Sequence, residues 1–191
     1  MKKEKRDDQI DIDTVSEENQ SVECITFIWM FLFHDAYFYW VHRLMHTKAL
    51  YRHVHKVHHL STNPSPWTAY AFHPLEAVLE ASILPIIAFT LPVHFTAVLY
   101  FFLFQIFYNV YGHLGYELYP KGFQKTRIGR WVNTSVAHNQ HHSRFEGNYG
   151  LYLLFWDRMM GTLREDYEQN FDRATAGKSP SDQLAESSTP S

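Results

Sequence analysis

The chain has 191 residues, enough for one domain, with 46% hydrophobic residues and a formal net charge of −3. That charge, with no dense basic stripe, excludes nucleic acid as the main partner. The single cysteine, Cys24, excludes an intrachain disulfide or a thiolate cluster and reads as a small apolar residue near a helix start.

Residues 1–22 read as a polar, disordered N-terminal tail, and no apolar run follows Lys2-Lys3-Glu4-Lys5-Arg6 as a cleavable signal peptide requires. Cys24 to Val41 is the first apolar run, with only His34 and Asp35 as potentially charged groups. Its length suffices for one membrane crossing. A carboxylate costs about 2.5–3.5 kcal/mol at a bilayer centre, so Asp35 is expected near the interface and facing protein. The helix is expected to carry on and deliver His42-Arg-Leu-Met-His46 just outside the bilayer.

From Leu50 to Trp67 the chain is basic and polar, with Arg52, Lys56 and the second box, His55-Lys-Val-His58-His59. Ser65-Pro66-Trp67 breaks this segment. Ala77 to Gly112 is then apolar, with Glu80 its only Asp, Glu, Lys or Arg and Pro92 near its middle. That pattern predicts two helices and a transmembrane hairpin. A hairpin returns the chain to the side it left, so boxes one and two meet the third, His138-Asn-Gln-His141-His142. Arg43, Lys48, Arg52, Lys56, Lys121, Lys125, Arg127 and Arg130 mark that side as cytoplasmic. Residues 166–191 are polar and read as a disordered tail. The mean hydropathy of −0.31 hides the apolar runs, because both ends are polar and thirteen histidines weigh on it.

Eight imidazoles in three boxes exceed the needs of one ion. Residues four apart on a helix share a face, so His42 pairs with His46 and His55 with His59, while His58 diverges from His59 by about 100°. The pattern predicts a two-metal site. Neutral nitrogen donors without cysteine or interleaved carboxylate favour iron, zinc, copper or nickel. His113, at the hairpin's exit, is a ninth candidate ligand; His73 is a weaker one. His34, His53 and His94 read as structural or solvated. Ligating rings need a partner on the second nitrogen. Asp35, two turns before His42, is one candidate, with Glu76 beside His73 and Glu117 beside His113. The absence of His-Glu-x-x-His, of paired Glu-x-x-His helices and of phosphate-binding loops excludes a zinc protease, a ferritin-like site and a nucleotide site.

The boxes come in this order together with Asp35-Ala-Tyr-Phe-Tyr-Trp40-Val-His42-Arg43, Ala71-Phe-His-Pro-Leu-Glu76, Tyr111-Gly-His-Leu-Gly-Tyr-Glu117 and Asn148-Tyr-Gly-Leu-Tyr152…Phe155-Trp-Asp-Arg158…Gly161-Thr. Over about residues 30–165 the chain resembles the fatty acid hydroxylase/sterol desaturase superfamily. The resemblance implies an all-α, multi-pass membrane helical bundle with a cytosolic histidine-rich cap, its membrane hydroxylase/desaturase domain spanning residues 23–165. It implies two non-haem iron ions held by His42, His46, His55, His58, His59, His138, His141 and His142, to which the residue reading adds His113 as a ninth ligand and Asp35 as a catalytic carboxylate. It further implies a lipid substrate, hydroxylated or desaturated with O2 and electrons from an external carrier. Where relatives place two ligands on the exit helix, this chain has Asn109 and His113. Phe101, Phe104, Tyr108 and Tyr111 are expected to line a lipid groove. Relatives carry further membrane helices ahead of the first box, where this chain offers only the run from Cys24. The boxes alone also permit a membrane di-zinc hydrolase or a non-catalytic metal-binding protein. A transporter would set its ligands at mid-membrane, and a haem would need only one or two axial histidines.

Overall fold

The computed structural model describes residues 12–90 and 93–176, with side chains from Asn19 onward. Residues 1–11 and 177–191, which hold half of the expected N-terminal tail and more than half of the C-terminal one, and Pro92, the expected hairpin break, lie outside the described residues. Those described form α-helices and short 3-10 turns, without a β-strand among them; a lone bridge joins Val132 to Leu153.

Helix α1 (Ile12–Met45) is 34 residues long. No glycine or proline interrupts it, so nothing in the chain stops propagation before the first box. It begins within the segment expected to be a disordered tail. The polar residues before Cys24 continue a helix whose apolar part is held by packing, and tertiary anchoring overrides their composition. His34, Phe38, His42 and His46 follow one another at intervals of four along one face.

The second box does not sit on one α-helix as expected. Helix α2 (Tyr51–Val54) ends before His55, and His58–Leu60 form a 3-10 turn. The first arm of the hairpin is also split. Helix α3 (Pro74–Ala81) stops at Ser82 and α4 (Ile83–Thr90) follows. Pro85 lacks an N–H, and its ring would collide with the carbonyl four residues back, at Ala81, in a continuous helix. Tyr37 of α1 donates to the Leu79 carbonyl at 2.7 Å just before this break.

Helix α5 (Phe95–Gly112) packs along α1 in the same direction. At their N-terminal ends, Glu23 of α1 accepts from Thr96 and lies 3.2 Å from His94. At their C-terminal ends both helices arrive at box histidines, His42 and His113. Met30, Ile83, Ile87, Phe101, Leu151 and Tyr152 form the core between them. The aromatics expected to line a lipid groove are absorbed here. Phe101 is buried, Phe104 and Tyr108 pack on the cluster, and Tyr111 donates to Glu117 at 2.6 Å. Two stretches, Asn19–Met45 and Phe95–Gly112, are long and apolar enough to cross a membrane. Their outer faces expose Ile25, Ile28, Leu32, Tyr100 and Phe107.

Helix α6 (Ser135–Arg144) carries the third box and is capped by Thr134, whose hydroxyl accepts from the Ala137 N–H. A long loop, the short helix α7 (Phe155–Met159) and α8 (Tyr167–Ala174) complete the structure. Helix α8 corrects the expected tail from residue 166. Tyr167 and Phe171, four apart on one face, are buried against Val136, Ala137 and Leu154. Five of its eight residues are polar, which concealed the two that anchor it.

Candidate metal centre

The nine histidines singled out from sequence fall into two groups, each with ring nitrogens within 4.8 Å of one another. His42, His46, His55, His59 and His141 make the first; His58, His113, His138 and His142 make the second. Neighbouring residues are dealt to opposite groups: His59 and His141 to the first, His58 and His142 to the second. All but His46 are buried. His46 opens onto a surface cavity of about 910 Å³ that is also lined by Tyr51, Arg52, Phe145 and Tyr149.

Backbone carbonyls orient the rings. The Nδ1 of His42 is 2.9 Å from the Tyr149 carbonyl, and that of His141 is 2.7 Å from Gly147. In the second group, His113 Nδ1 lies 2.7 Å from the Asn109 carbonyl and His142 Nδ1 lies 3.0 Å from Ser61. A carbonyl oxygen only accepts, so each of these Nδ1 atoms carries the proton. A neutral imidazole then has a bare lone pair on Nε2. His113 Nε2 and His142 Nε2 face each other at 3.2 Å with no proton between them, and His141 Nε2 is buried without a partner. Two lone pairs at that distance repel unless a positive charge lies between them. The spacing suits a cation: nitrogens bound at about 2.0–2.1 Å stand about 3 Å apart at right angles and about 3.4 Å apart at tetrahedral angles. In the first group, His55 Nε2 lies 3.0 Å from His42 Nε2 and 3.1 Å from His59 Nε2. The donor set therefore fits two ions.

The rings are also kept neutral, the state a ligand needs. Burial, reinforced by neighbouring rings, pushes His46 and His142 down to about 2 and His59 to about 3. Burial alone holds His113 at about 4 despite its carbonyl partner. His58, His138 and His141 are driven well below the ordinary imidazole range by the same causes.

Several carboxylates stand elsewhere than expected. Asp35, read as catalytic and as a partner for His42, accepts the backbone N–H groups of Tyr152 and Leu153, each at 3.0 Å. It serves the loop, while Tyr149 occupies the place behind His42. Glu117, expected behind His113, accepts from Tyr111 and from the backbone at Tyr119 and Val136. The free carbonyl of Asn109 at the end of α5 takes its place, since the His113 N–H turns to Val110 instead. Glu76, expected beside His73, reaches back to His55 Nδ1 at 2.6 Å. His73 itself caps α3 by accepting from the Leu75 N–H. Asn109, paired with His113 as a candidate ligand, spends its side chain on the Ala69 carbonyl at 2.9 Å. His53 accepts from Arg52, and His34 is buried among Phe38, Phe101 and Tyr152.

The loop after α6 is itself braced. Asn133 donates to the carbonyls of Gly150 and Leu151, and Asp157 accepts from the N–H groups of Tyr149 and Gly150. Gly147 adopts a φ of +78°, the left-handed region, which brings its carbonyl to His141. These orienting groups carry no side-chain signature of their own, apart from the Asn and Asp that hold them.

Residues 27–162 match the fatty acid hydroxylase family. The chain belongs to that family. Among curated proteins, this fatty acid hydroxylase family member is 33% identical to a lathosterol oxidase of Rattus norvegicus over 132 residues, covering 69% of this chain and 42% of the relative. It is 35% identical to a Delta(7)-sterol 5(6)-desaturase of Gibberella zeae over 142 residues, covering 74% and 38%. A lathosterol oxidase of Homo sapiens is 31% identical over 140 residues, covering 73% and 45%. The chain thus matches less than half the length of each of these relatives. No solved structure matches it significantly.

Proposed function

We propose that this chain carries the metal centre of a membrane-bound oxidoreductase that desaturates or hydroxylates a lipid, with a sterol as the favoured substrate class. The confrontation of His113 and His142 carries the reading, because two facing lone pairs at 3.2 Å repel unless a cation lies between them. The family and the names of the sterol-oxidising relatives direct the choice towards oxidation and away from a di-zinc hydrolase. Iron is the metal proposed for both ring groups. When bound there, paired iron supplies the activation of O2 and the oxidising equivalents for an unactivated C–H bond.

The chain's own contribution is positional. Nine imidazoles, four of them oriented by backbone carbonyls and His55 by Glu76, present nitrogen donors without rearrangement, and the burial of all but His46 keeps water from most of the site. Helices α1 and α5 are proposed to span the bilayer, since apolar faces of this extent are unfavourable in water. With the C-terminal ends of both at the centre, the rings would lie at the membrane border, on the cytoplasmic side. A lipid would approach from the bilayer, and an external carrier would deliver electrons from the aqueous side.

The test is lipid mass spectrometry under isotopically labelled O2, comparing cells with the native chain and with His141→Ala at equal protein levels. A sterol that loses two hydrogens only with the native chain supports desaturation, and label gained by the lipid supports hydroxylation. Identical lipid profiles would defeat the proposal.

A further inference from the structure

The two ring groups differ in what stands behind them. In the first, the Glu76 carboxylate meets His55 Nδ1 at 2.6 Å, and both side chains are buried. The other oxygen of Glu76 is buried without a partner. Behind the second group stand only backbone carbonyls, at His113 and His142, while His58 Nδ1 has no partner. Among the described residues, no carboxylate is hydrogen-bonded to a ring of the second group.

We infer that the two groups hold their ions unequally, the five-ring group retaining its ion more firmly, with Glu76 as the positioning residue responsible. The inference rests on the proposed reading that the rings bind metal. A carbonyl behind a ring fixes its orientation but brings only a dipole. A carboxylate fixes the orientation and makes the ring a stronger donor through a full negative charge. In an interior of low polarity such a charge is poorly screened and is favourable only beside a cation. The first group also offers five nitrogens against four. Glu76 lies in the first turn of α3, where an acidic residue also favours the helix dipole. That role asks nothing of His55 and would leave metal retention unchanged, which separates the two explanations.

The experiment uses the full chain in detergent, loaded with cobalt(II) and dialysed against a graded series of chelator concentrations. Metal per chain and cobalt visible absorption are read at each step. The native chain is expected to lose cobalt in two stages with a plateau at one ion. His142→Ala should retain the firm stage and His141→Ala only the loose one. Glu76→Gln keeps a hydrogen-bond acceptor for His55 without the charge. It should weaken the firm stage by about 10- to 100-fold, shift its absorption and leave the loose stage in place. Single-stage loss from the native chain, or a firm stage unmoved in Glu76→Gln, would overturn the inference. Should Glu76→Gln fail to fold, equal retention by His141→Ala and His142→Ala would overturn it. A native chain that takes up no metal at all would instead remove the proposed function beneath it.

Discussion

The carboxylate of Asp35 accepts the backbone N–H of Tyr152 at 3.0 Å, joining the middle of α1 to a loop 117 positions later in the chain. The same oxygen takes the Leu153 N–H, so one side chain satisfies two backbone donors. Tyr149, whose carbonyl orients His42, lies three residues before Tyr152. This clamp is how the apolar helix and the loop share one register.

Asp35→Ala leaves the buried Tyr152 N–H and the part-buried Leu153 N–H without a partner, a loss of about 1–3 kcal/mol. Its apparent melting temperature in detergent should fall, and bound metal should loosen with it. Asp35→Asn keeps an acceptor and should recover most of the stability. Full metal binding and native melting in Asp35→Ala would show that the clamp does not hold the loop.

His113→Ala and Asn109→Ala should part company although the residues are four apart on one helix end. His113→Ala removes a ring of the second group and should cost the chain one bound ion in elemental analysis. Asn109→Ala removes a hydrogen bond to the Ala69 carbonyl and should lower stability by about 1–3 kcal/mol with metal content intact. A loss of one ion from Asn109→Ala would show that its amide is a ligand after all.

Gly147→Ala places a Cβ 2.6 Å from the Thr162 carbonyl at a φ of +78°. The backbone must move, at about 1–3 kcal/mol, and the carbonyl that orients His141 moves with it. Thermal melting should drop and the firmly held ion should exchange faster. Gly122→Ala offers a control: it shares the positive φ, but a Cβ there meets nothing within 4 Å.

Acid should destabilise the metal-free protein, and the sign follows from the rings. The ordinary imidazole value is 6.5, while the folded chain holds His113 at about 4, His59 at about 3, and His46 and His142 at about 2. Below pH 6.5 the unfolded chain takes up protons that the folded chain refuses. Stability is therefore complete above about pH 6.5 and declines as pH falls towards those lower values, by up to about 1.4 kcal/mol per pH unit for each ring. Melting of the chelated protein between pH 8 and pH 5 checks this. A midpoint that holds or rises on acidification would mean that the rings are not buried neutral.

The sequence disclosed the ligand candidates more completely than the scaffold that orients them. Box histidines announce themselves through spacing, and His113 through its place at the end of an apolar run. The divergence of His58 from His59 survives even though no continuous helix carries them, because adjacent side chains point apart in a 3-10 turn as well. The orienting partners differ mostly from those expected. Asp35 and Glu117 lie close in sequence to His42 and His113, but proximity along a chain says little about a ring's second nitrogen. Carbonyls from Tyr149, Gly147, Asn109 and Ser61 fill four of those places, and a carbonyl belongs to every residue alike. Composition also misled at α8, where Tyr167 and Phe171 suffice to bury one face of an otherwise polar segment. The split between α3 and α4 has its signal in Pro85, which bars a continuous helix past Ala81 in the same apolar stretch that holds the more central Pro92.

His58 with His59, and His141 with His142, each divide one adjacent pair between the two ring groups. A single planar peptide joins the members of each pair, with alpha carbons about 3.8 Å apart. The separation of the two nitrogen sets is thus built from covalent lengths at two independent points, like a pair of struts. Bilayer thinning, warming or lateral pressure would strain the surrounding helices well before it changed that span. One residue inserted within either pair would wreck both sets together.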